Sequence, residues 1–519
     1  MTAVTTRRVR HSLTSGATGL LDGTTTLLGG GARLVLQGGL GRRLGLPDAD
    51  WHLTPEDTDS GMHGGDDEAG PITDDEAARL RDAPHSDGGP VATSLRYVLR
   101  EGDLVFANAD ELGEVWRSDL AGGPGRIVVV SNPAHIKSLM TASPDIAPSA
   151  TRFSPLRPII GPNSVLTSIG PRHKQQRGLL LPQFHGRAVA AYQDRIVAST
   201  ARRIDEWVPG EPVRLADLGQ QITLDVIMSA VFGIEEVAYA TPSERAVRES
   251  MVRLLHLSTH PLATIAQLLN SRSREPKGLL RWVLEPLDDA VYRVIAERRA
   301  EGAGGADGGG RTDIMTVLMA ARGDDGNPLS DSEIRDELLT LVLAGHETTS
   351  NTVAWTFERL TRHPDVYAQA VQAARGEDST YIDAVINESM RSRPVVPVVA
   401  RELLRPWRFG SVSVDPGVVA LVNILLLHHR DDLYPKPFAF DPERFVGVKP
   451  SPHQLMPFGG GNRRCLGSGL AMVELKVVVT EILRRVDLAT TAAAPERPRH
   501  RNVTMIPGDG GLVTALARH

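Results

Sequence analysis

From Pro182 onward, apolar residues return every three or four positions. Pro182 to Trp207, Ala216 to Phe232, Pro242 to Leu255 and Leu279 to Arg299 all show this spacing, which predicts helices that each bury one face. Two shorter apolar runs read as strands. They are Asp103 to Ala107 and Arg126 to Val130, the second leading through Asn132-Pro133 into a helix. Trp407 to Val422 predicts a hairpin with Asp415-Pro416-Gly417 as its turn. The glycine-rich EGAGGADGGGR at 301–311 predicts a flexible connector. The fold class is mainly α with a smaller β portion.

Residues 1–90 lack this patterning. Thr54 to Gly89 is acidic and rich in Gly, Pro, Ser and Asp, so it buries too little to offset the entropy of ordering it. It predicts a poorly structured extension with at most short helices, such as Asp74 to Asp82. The main domain is expected at 91–519.

The longest helical pattern opens on Ser330-Asp-Ser-Glu333, a capping box, and runs to His363, where Pro364 stops it. About thirty residues at 1.5 Å each span roughly 50 Å, enough to cross a whole domain. Ile334, Leu338, Leu341, Gly345, Thr348 and Thr352 form one stripe. At its centre, Ala344-Gly-His-Glu-Thr-Thr-Ser350 holds residues that weaken helical hydrogen bonding, and hydroxyls that bond back to carbonyls open such a ladder. Two readings stand: a polar patch facing solvent, or a ligand groove with Glu347 and Thr348 able to carry protons.

Composition narrows the function classes. An apolar content of 41% and a net charge of −6 in 519 residues fit a soluble globular protein and argue against nucleic-acid binding. No apolar run reaches the ~18 residues of a spanning helix. Arg7-Arg8 ahead of Leu20 to Leu46 hints at a twin-arginine export signal, but Asp22, Arg33 and many glycines break the run. An unstructured tail is the plainer expectation. A single cysteine excludes an internal disulfide and a cysteine-rich zinc site, and is compatible with a reducing cytoplasm.

That cysteine lies in FGGGNRRCLG, Phe458 to Gly467, just ahead of a strongly helical stretch. A helix N-terminus favours a thiolate. The glycines let something flat and large approach the backbone, and Arg463 and Arg464 suit carboxylates on that object. An inert buried cysteine would need none of this. A nucleophile would need a base, for which His453 is a weak candidate. A phosphate loop would carry Gly-Lys-Ser/Thr, which is missing. A thiolate ligand to haem iron fits every feature.

Phe458-x-x-Gly461-x-Arg463-x-Cys465-x-Gly467 resembles the haem-binding signature of the cytochrome P450 family. Ala344-Gly345-x-Glu347-Thr348 resembles the family's oxygen-activation motif, Glu388-Ser-Met-Arg391 its Glu-x-x-Arg pair, and Phe440 to Phe445 the segment supplying a third charge, Arg444. The likeness covers roughly Val91 to the C-terminus. It implies a cytochrome P450-like single large domain that inserts one oxygen atom from dioxygen into a hydrophobic or amphipathic small molecule.

The resemblance also assigns roles. Cys465 would be the axial ligand of haem b, with Ala344, Phe458, Gly459 and Gly467 against the ring. His173, Arg177, Arg401 and Arg463 would hold its propionates. Thr348 and Glu347 would assist dioxygen activation and proton relay. Glu388, Arg391 and Arg444 would form a buried structural network. Substrate contacts would fall on the loop Ser149 to Thr167 and on Leu339, Val342, Leu343, Val396, Val398, Val503 and Thr504. The chain carries no G-x-G-x-x-G loop or flavin module, so electrons from NAD(P)H would arrive through a separate ferredoxin or flavodoxin with its reductase. A cytoplasmic monomer of the soluble bacterial type is expected. The alternatives are another haem-thiolate reaction (peroxygenase, isomerase or dehydratase) and a non-catalytic haem protein that binds a ligand.

Overall fold

The computed structural model describes residues 50–519 except 122–123, 235–239, 259–269, 271–272, 274, 304–312, 324–325, 377 and 502. The Arg7-Arg8 region, Leu20 to Leu46 and most of the glycine-rich connector lie outside the described residues. No helix among the described residues is long and apolar enough to cross a membrane.

Among the described residues, helices of seven or more residues are α1 Pro90–Leu112, α2 Pro133–Thr141, α3 Gly170–Leu180, α4 Gln193–Asp205, α5 Leu215–Phe232, α6 Pro242–Ser258, α7 Leu279–Ala303, α8 Ile314–Ala320, α9 Asp331–Leu360, α10 Pro364–Arg375, α11 Thr380–Ser392 and α12 Ser468–Arg485. The strands are β1 Ala69–Pro71, β2 Arg81–Asp82, β3 Val115–Asp119, β4 Arg126–Val130, β5 Pro212–Arg214, β6 Val398–Glu402, β7 Trp407–Phe409, β8 Val412–Val414, β9 Val419–Asn423, β10 Val486–Thr490, β11 Pro498–Arg501, β12 Thr504–Pro507 and β13 Leu512–Arg518. The fold is mainly α, as expected.

The thirty residues of α9 form its axis, opened by the expected capping box, in which the Ser330 hydroxyl and the Glu333 carboxylate each accept a backbone N–H of the other residue. α5 lies against α9 at Gly219, where an added Cβ would meet Ser350 Cα at 2.8 Å. That glycine sets how closely the two backbones approach. A helical cluster around α9, containing Leu338, Val342, Phe357, Leu224 and Val478, forms the main core. β3-β4-β9-β6 form one sheet beside it and β1-β7-β8-β2 another.

Several elements differ from expectation. Asp103 to Ala107 is helical within α1; five apolar-rich residues are too few for periodicity to separate a strand from a buried helix. The helix expected over Pro182 to Trp207 is broken into a 3-10 turn, a four-residue helix and α4. The hairpin is β7–β8, and it turns at Gly410, with φ +58°. Asp415-Pro416-Gly417 instead leads across to β9 in the neighbouring sheet.

Thr54 to Gly89 is more ordered than its composition predicts. The Asp74 helix forms as Asp74–Ala77 with its own capping box. β1 pairs with β7 and β2 with β8. Just before this segment, Trp51 is buried and stacks on the Arg393 guanidinium, 4.8 Å from its ring centre. Strand pairing uses backbone groups, so few apolar side chains were needed.

Candidate active site

A cavity of about 390 Å³ lies between α9, the Phe458–Gly467 loop, the segment before α3 and the β11–β12 turn. The helical period decides which residues of α9 line it. Leu341, Ala344, Gly345, Thr348 and Thr352 face the space, most of the predicted stripe. Leu343 borders it as well. Leu339 and Val342, expected as substrate contacts, lie on the flank turned into the core and are almost fully buried. Strand alternation makes a second correction. Within β6, Val399 lines the cavity and its neighbour Val398 does not; Val396, ahead of the strand, lines it as well. From the expected loop, Leu156, Ile160, Val165 and Leu166 contribute, and Val503 and Thr504 close the C-terminal side.

α9 is continuous through its polar centre, so the expected opening of its ladder is not seen. The back-bonding is present. The Thr348 hydroxyl donates to the Ala344 carbonyl at 2.9 Å, and the Thr352 hydroxyl to the Thr348 carbonyl at 3.0 Å. The Glu347 side chain is buried yet borders the cavity. Its Oε1 accepts Arg501 Nε–H at 2.6 Å and the Thr504 hydroxyl at 2.7 Å. Sequence reasoning missed Arg501, which sits 154 residues away in a basic run with no local link to Glu347. It also missed Glu474 on α12, which borders the same cavity; burial pushes its carboxyl up to about 8, opposed by a hydrogen bond from Thr349.

In the Phe458–Gly467 loop, the Cys465 N–H donates to the Phe458 carbonyl at 2.9 Å. The glycines serve different ends. A Cβ on Gly461 would sit 2.1 Å from the Met140 carbonyl oxygen, so protein packing alone demands it. A Cβ on Gly467 would meet no protein atom within 4 Å. Phe458, Gly459, Cys465 and Gly467 all border the cavity. Helix α12 begins only at Ser468, so Cys465 precedes the first turn instead of capping it. The sulfur opens onto the cavity but lies deep in the interior. Burial raises the thiol, opposed by the Gly467 N–H, Arg177 and Arg464.

Beside this loop, four basic groups converge. His173 and Arg177 stand one turn apart on α3, Arg401 comes from β6, and Arg463 donates to the Val165 carbonyl at 3.0 Å and to the Ser168 carbonyl. Burial, Arg463, Arg177 and Arg401 lower His173 to about 4. Burial, Arg401 and Arg177 lower Arg463 to about 10. Burial alone lowers Arg401 to about 10, and its Nη groups reach only the Ala400 carbonyl and the Met140 sulfur. Arg177 feels burial first, then Cys465 and Arg464. None of the four has a carboxylate among these influences.

The opposite holds at Glu388 and Arg391, whose side chains are fully buried. Arg391 Nε and Nη2 each donate to Glu388 at 2.6 Å. The remaining N–H groups reach the carbonyls of His428 and Pro437 at 2.8 Å and Ala439 at 2.9 Å. Arg444 Nε approaches Glu388 at 3.7 Å.

Comparison with known proteins agrees with this geometry. The family model Cytochrome P450 matches residues 100–513. A Mycobacterium tuberculosis (strain ATCC 25618 / H37Rv) chain designated cytochrome P450 135B1 is 39% identical over 435 residues, covering 82% of this chain and 88% of the relative. Another from that strain, designated cytochrome P450 137, is 35% identical, covering 81% and 84%. Retinoic acid-bound cyanobacterial CYP120A1 superposes with a TM-score of 0.69 at 23% identity, over 84% of this chain and 100% of that one, so it shares the fold. The chain belongs to the cytochrome P450 family, the haem-thiolate monooxygenases.

Proposed function

We propose that this monooxygenase oxidises an uncharged, hydrophobic small molecule, using haem b held through Cys465 and electrons from NAD(P)H passed by a separate ferredoxin or flavodoxin and its reductase. One observation carries the reading: Cys465, a cluster of cations without an acid, and the Glu347–Thr348 pair all border or adjoin one mainly apolar cavity.

The residues fit the haem. Four basic groups packed together with no carboxylate repel one another and lose hydration, so they suit an anion from outside the chain. His173, Arg177, Arg401 and Arg463 would bind the propionates. Gly467, free of any packing demand from the protein, leaves the ring room. Bound here, the haem supplies an electron-rich iron that activates dioxygen. The side chains supply the rest. Thr348 is one rotation of its hydroxyl away from the cavity and would hold a water or oxygen atom there by hydrogen bonding. Glu347 would move protons toward it. Leu343, Val396, Val399 and Val503 would exclude water and orient an apolar substrate. The Arg501–Glu347 pair cancels its own charge, so no free ion on that side asks for a charged substrate. The Glu347–Thr348 pair favours dioxygen use over the peroxygenase and isomerase readings.

The test is the absorption spectrum of the reduced protein under carbon monoxide, beside Cys465→Ala. A strongly red-shifted Soret band that the variant loses is expected. A band typical of histidine ligation in well-folded protein would overturn the assignment of Cys465. Product formation that needs neither dioxygen nor reductant would overturn the oxygenase chemistry.

A further inference from the structure

The β11–β12 hairpin is a two-stranded sheet joined to no other among the described residues. Such a hairpin is marginal alone, so its position depends on what it is tied to. Two ties lie at Met505, whose carbonyl accepts Trp355 Nε1–H at 3.1 Å and whose N–H donates to the Val395 carbonyl at 2.7 Å. Another is at the turn. Arg501 Nε–H donates to one oxygen of Glu347, and the single Thr504 hydroxyl hydrogen is shared between that oxygen and the Arg501 carbonyl, each 2.7 Å away. Between these residues, Val503 borders the cavity. The Arg501 and Glu347 side chains are 8% and 7% exposed, so water screens the contact little.

We propose that Arg501 is a positioning residue: from the β11–β12 turn it fixes the Glu347 carboxylate at the cavity wall, and so links proton delivery at the centre of α9 to the molecule that presses on Val503. The proposal rests on the proton-relay reading of Glu347 given above. A carboxylate gripped at one oxygen by a guanidinium and a hydroxyl has a set direction. A substrate that displaces Val503 moves the turn, and with it both donors. A well-fitting substrate thereby tunes where Glu347 can hand its proton.

Arg501→Gln removes the cation while keeping much of the side-chain volume, and Arg501→Lys restores a charge. Haem content and the reduced carbon monoxide spectrum report whether each variant folds. With a ferredoxin, its reductase and NADPH, peroxide released per dioxygen consumed is measured with whichever of 1-dodecanol, limonene and progesterone shifts the Soret band. Arg501→Gln is expected to raise the peroxide share at least about threefold and enlarge the solvent deuterium isotope effect, as a misplaced proton-transfer group does. Arg501→Lys is expected to recover most of the loss. A folded Arg501→Gln protein with an unchanged peroxide share and isotope effect would overturn the proposal. If Arg501→Gln does not fold, Thr504→Val, which removes the other donor, takes the same measurements with the same two outcomes.

A separate arm needs no turnover. Melting temperatures of Arg501→Gln, Glu347→Gln and the double variant form a cycle. A double loss smaller than the sum of the single losses supports the contact; strict additivity overturns it. If the wild type consumes no dioxygen with any probe, the oxygenase reading fails while this cycle still decides the role of Arg501 as the tie between hairpin and helix.

Discussion

Two charge clusters flank the Cys465 loop and differ in one respect. Around Glu388, the chain supplies both signs: every Arg391 N–H finds an acceptor and Glu388 also accepts the Asp441 N–H at 2.9 Å. Around Arg401, the described residues place positive groups and no carboxylate among the influences on them. Both are buried, so both carry large desolvation costs. The first is balanced from within and reads as architecture. The second is balanced only when an anion arrives and reads as a binding site. Sign balance, more than burial, separates the two.

The largest expected effect breaks the balanced cluster. Glu388→Ala or Arg391→Ala leaves an uncompensated buried charge and costs ~3–5 kcal/mol. Purified variants are expected to hold little or no haem, and normal haem content in either would remove the distinction. A smaller effect, of opposite sign in the two states, tests the other cluster. Arg401→Ala relieves an unpaired buried cation, so the haem-free protein gains stability, about 1.4 kcal/mol for each pKa unit of strain relieved. The same variant binds haem less tightly. Haem-free urea midpoints and haem dissociation rates check the two signs; a drop in both stability and affinity would make Arg401 an ordinary packing residue.

The smallest effect is in pH. The unfolded chain protonates a histidine near its ordinary value of 6.5, whereas folded His173 does so only near 4. The unfolded state therefore binds more protons in this window, and stability falls as pH drops from about 6.5 to about 4. His52, at about 4, and His346 and His428, at about 3, act in the same direction. The informative quantity is the difference between wild type and His173→Gln, measured as urea midpoints from pH 7 to 4.5. The variant is expected to lose less, and bound haem, whose carboxylates favour a charged His173, to shrink the gap. Equal slopes would place His173 outside the cluster.

What was legible in the sequence was what is local or chemically marked. Ser330 and Glu333 announce α9 within four residues. The only cysteine, set among glycines and arginines, points to its own cavity. Glu388 and Arg391 lie one turn apart, so one stretch of text shows both. What escaped depends on distant partners. Arg501 meets Glu347 across 154 residues. Leu339 and Val398 needed a rotational phase and a strand parity, which fixed element boundaries alone supply. Residues 50–89 were undervalued because composition counts side chains, while β1 and β2 are held through backbone groups.

That last segment has a consequence for how the protein is made. The Ser60 N–H donates to Asp431, 371 residues further along, and Arg81 donates to Ser411 across 330 residues. At roughly 5–20 residues per second of synthesis, these early groups wait on the order of 20–70 seconds for their partners to leave the ribosome. The beginning of the domain is therefore among the last parts to find its place, and it does so at about the time that Cys465 emerges. Conditions that slow elongation lengthen the interval in which unpaired strand edges stand open to other chains. Expression yield should then depend on translation speed and chaperone supply as much as on haem supply.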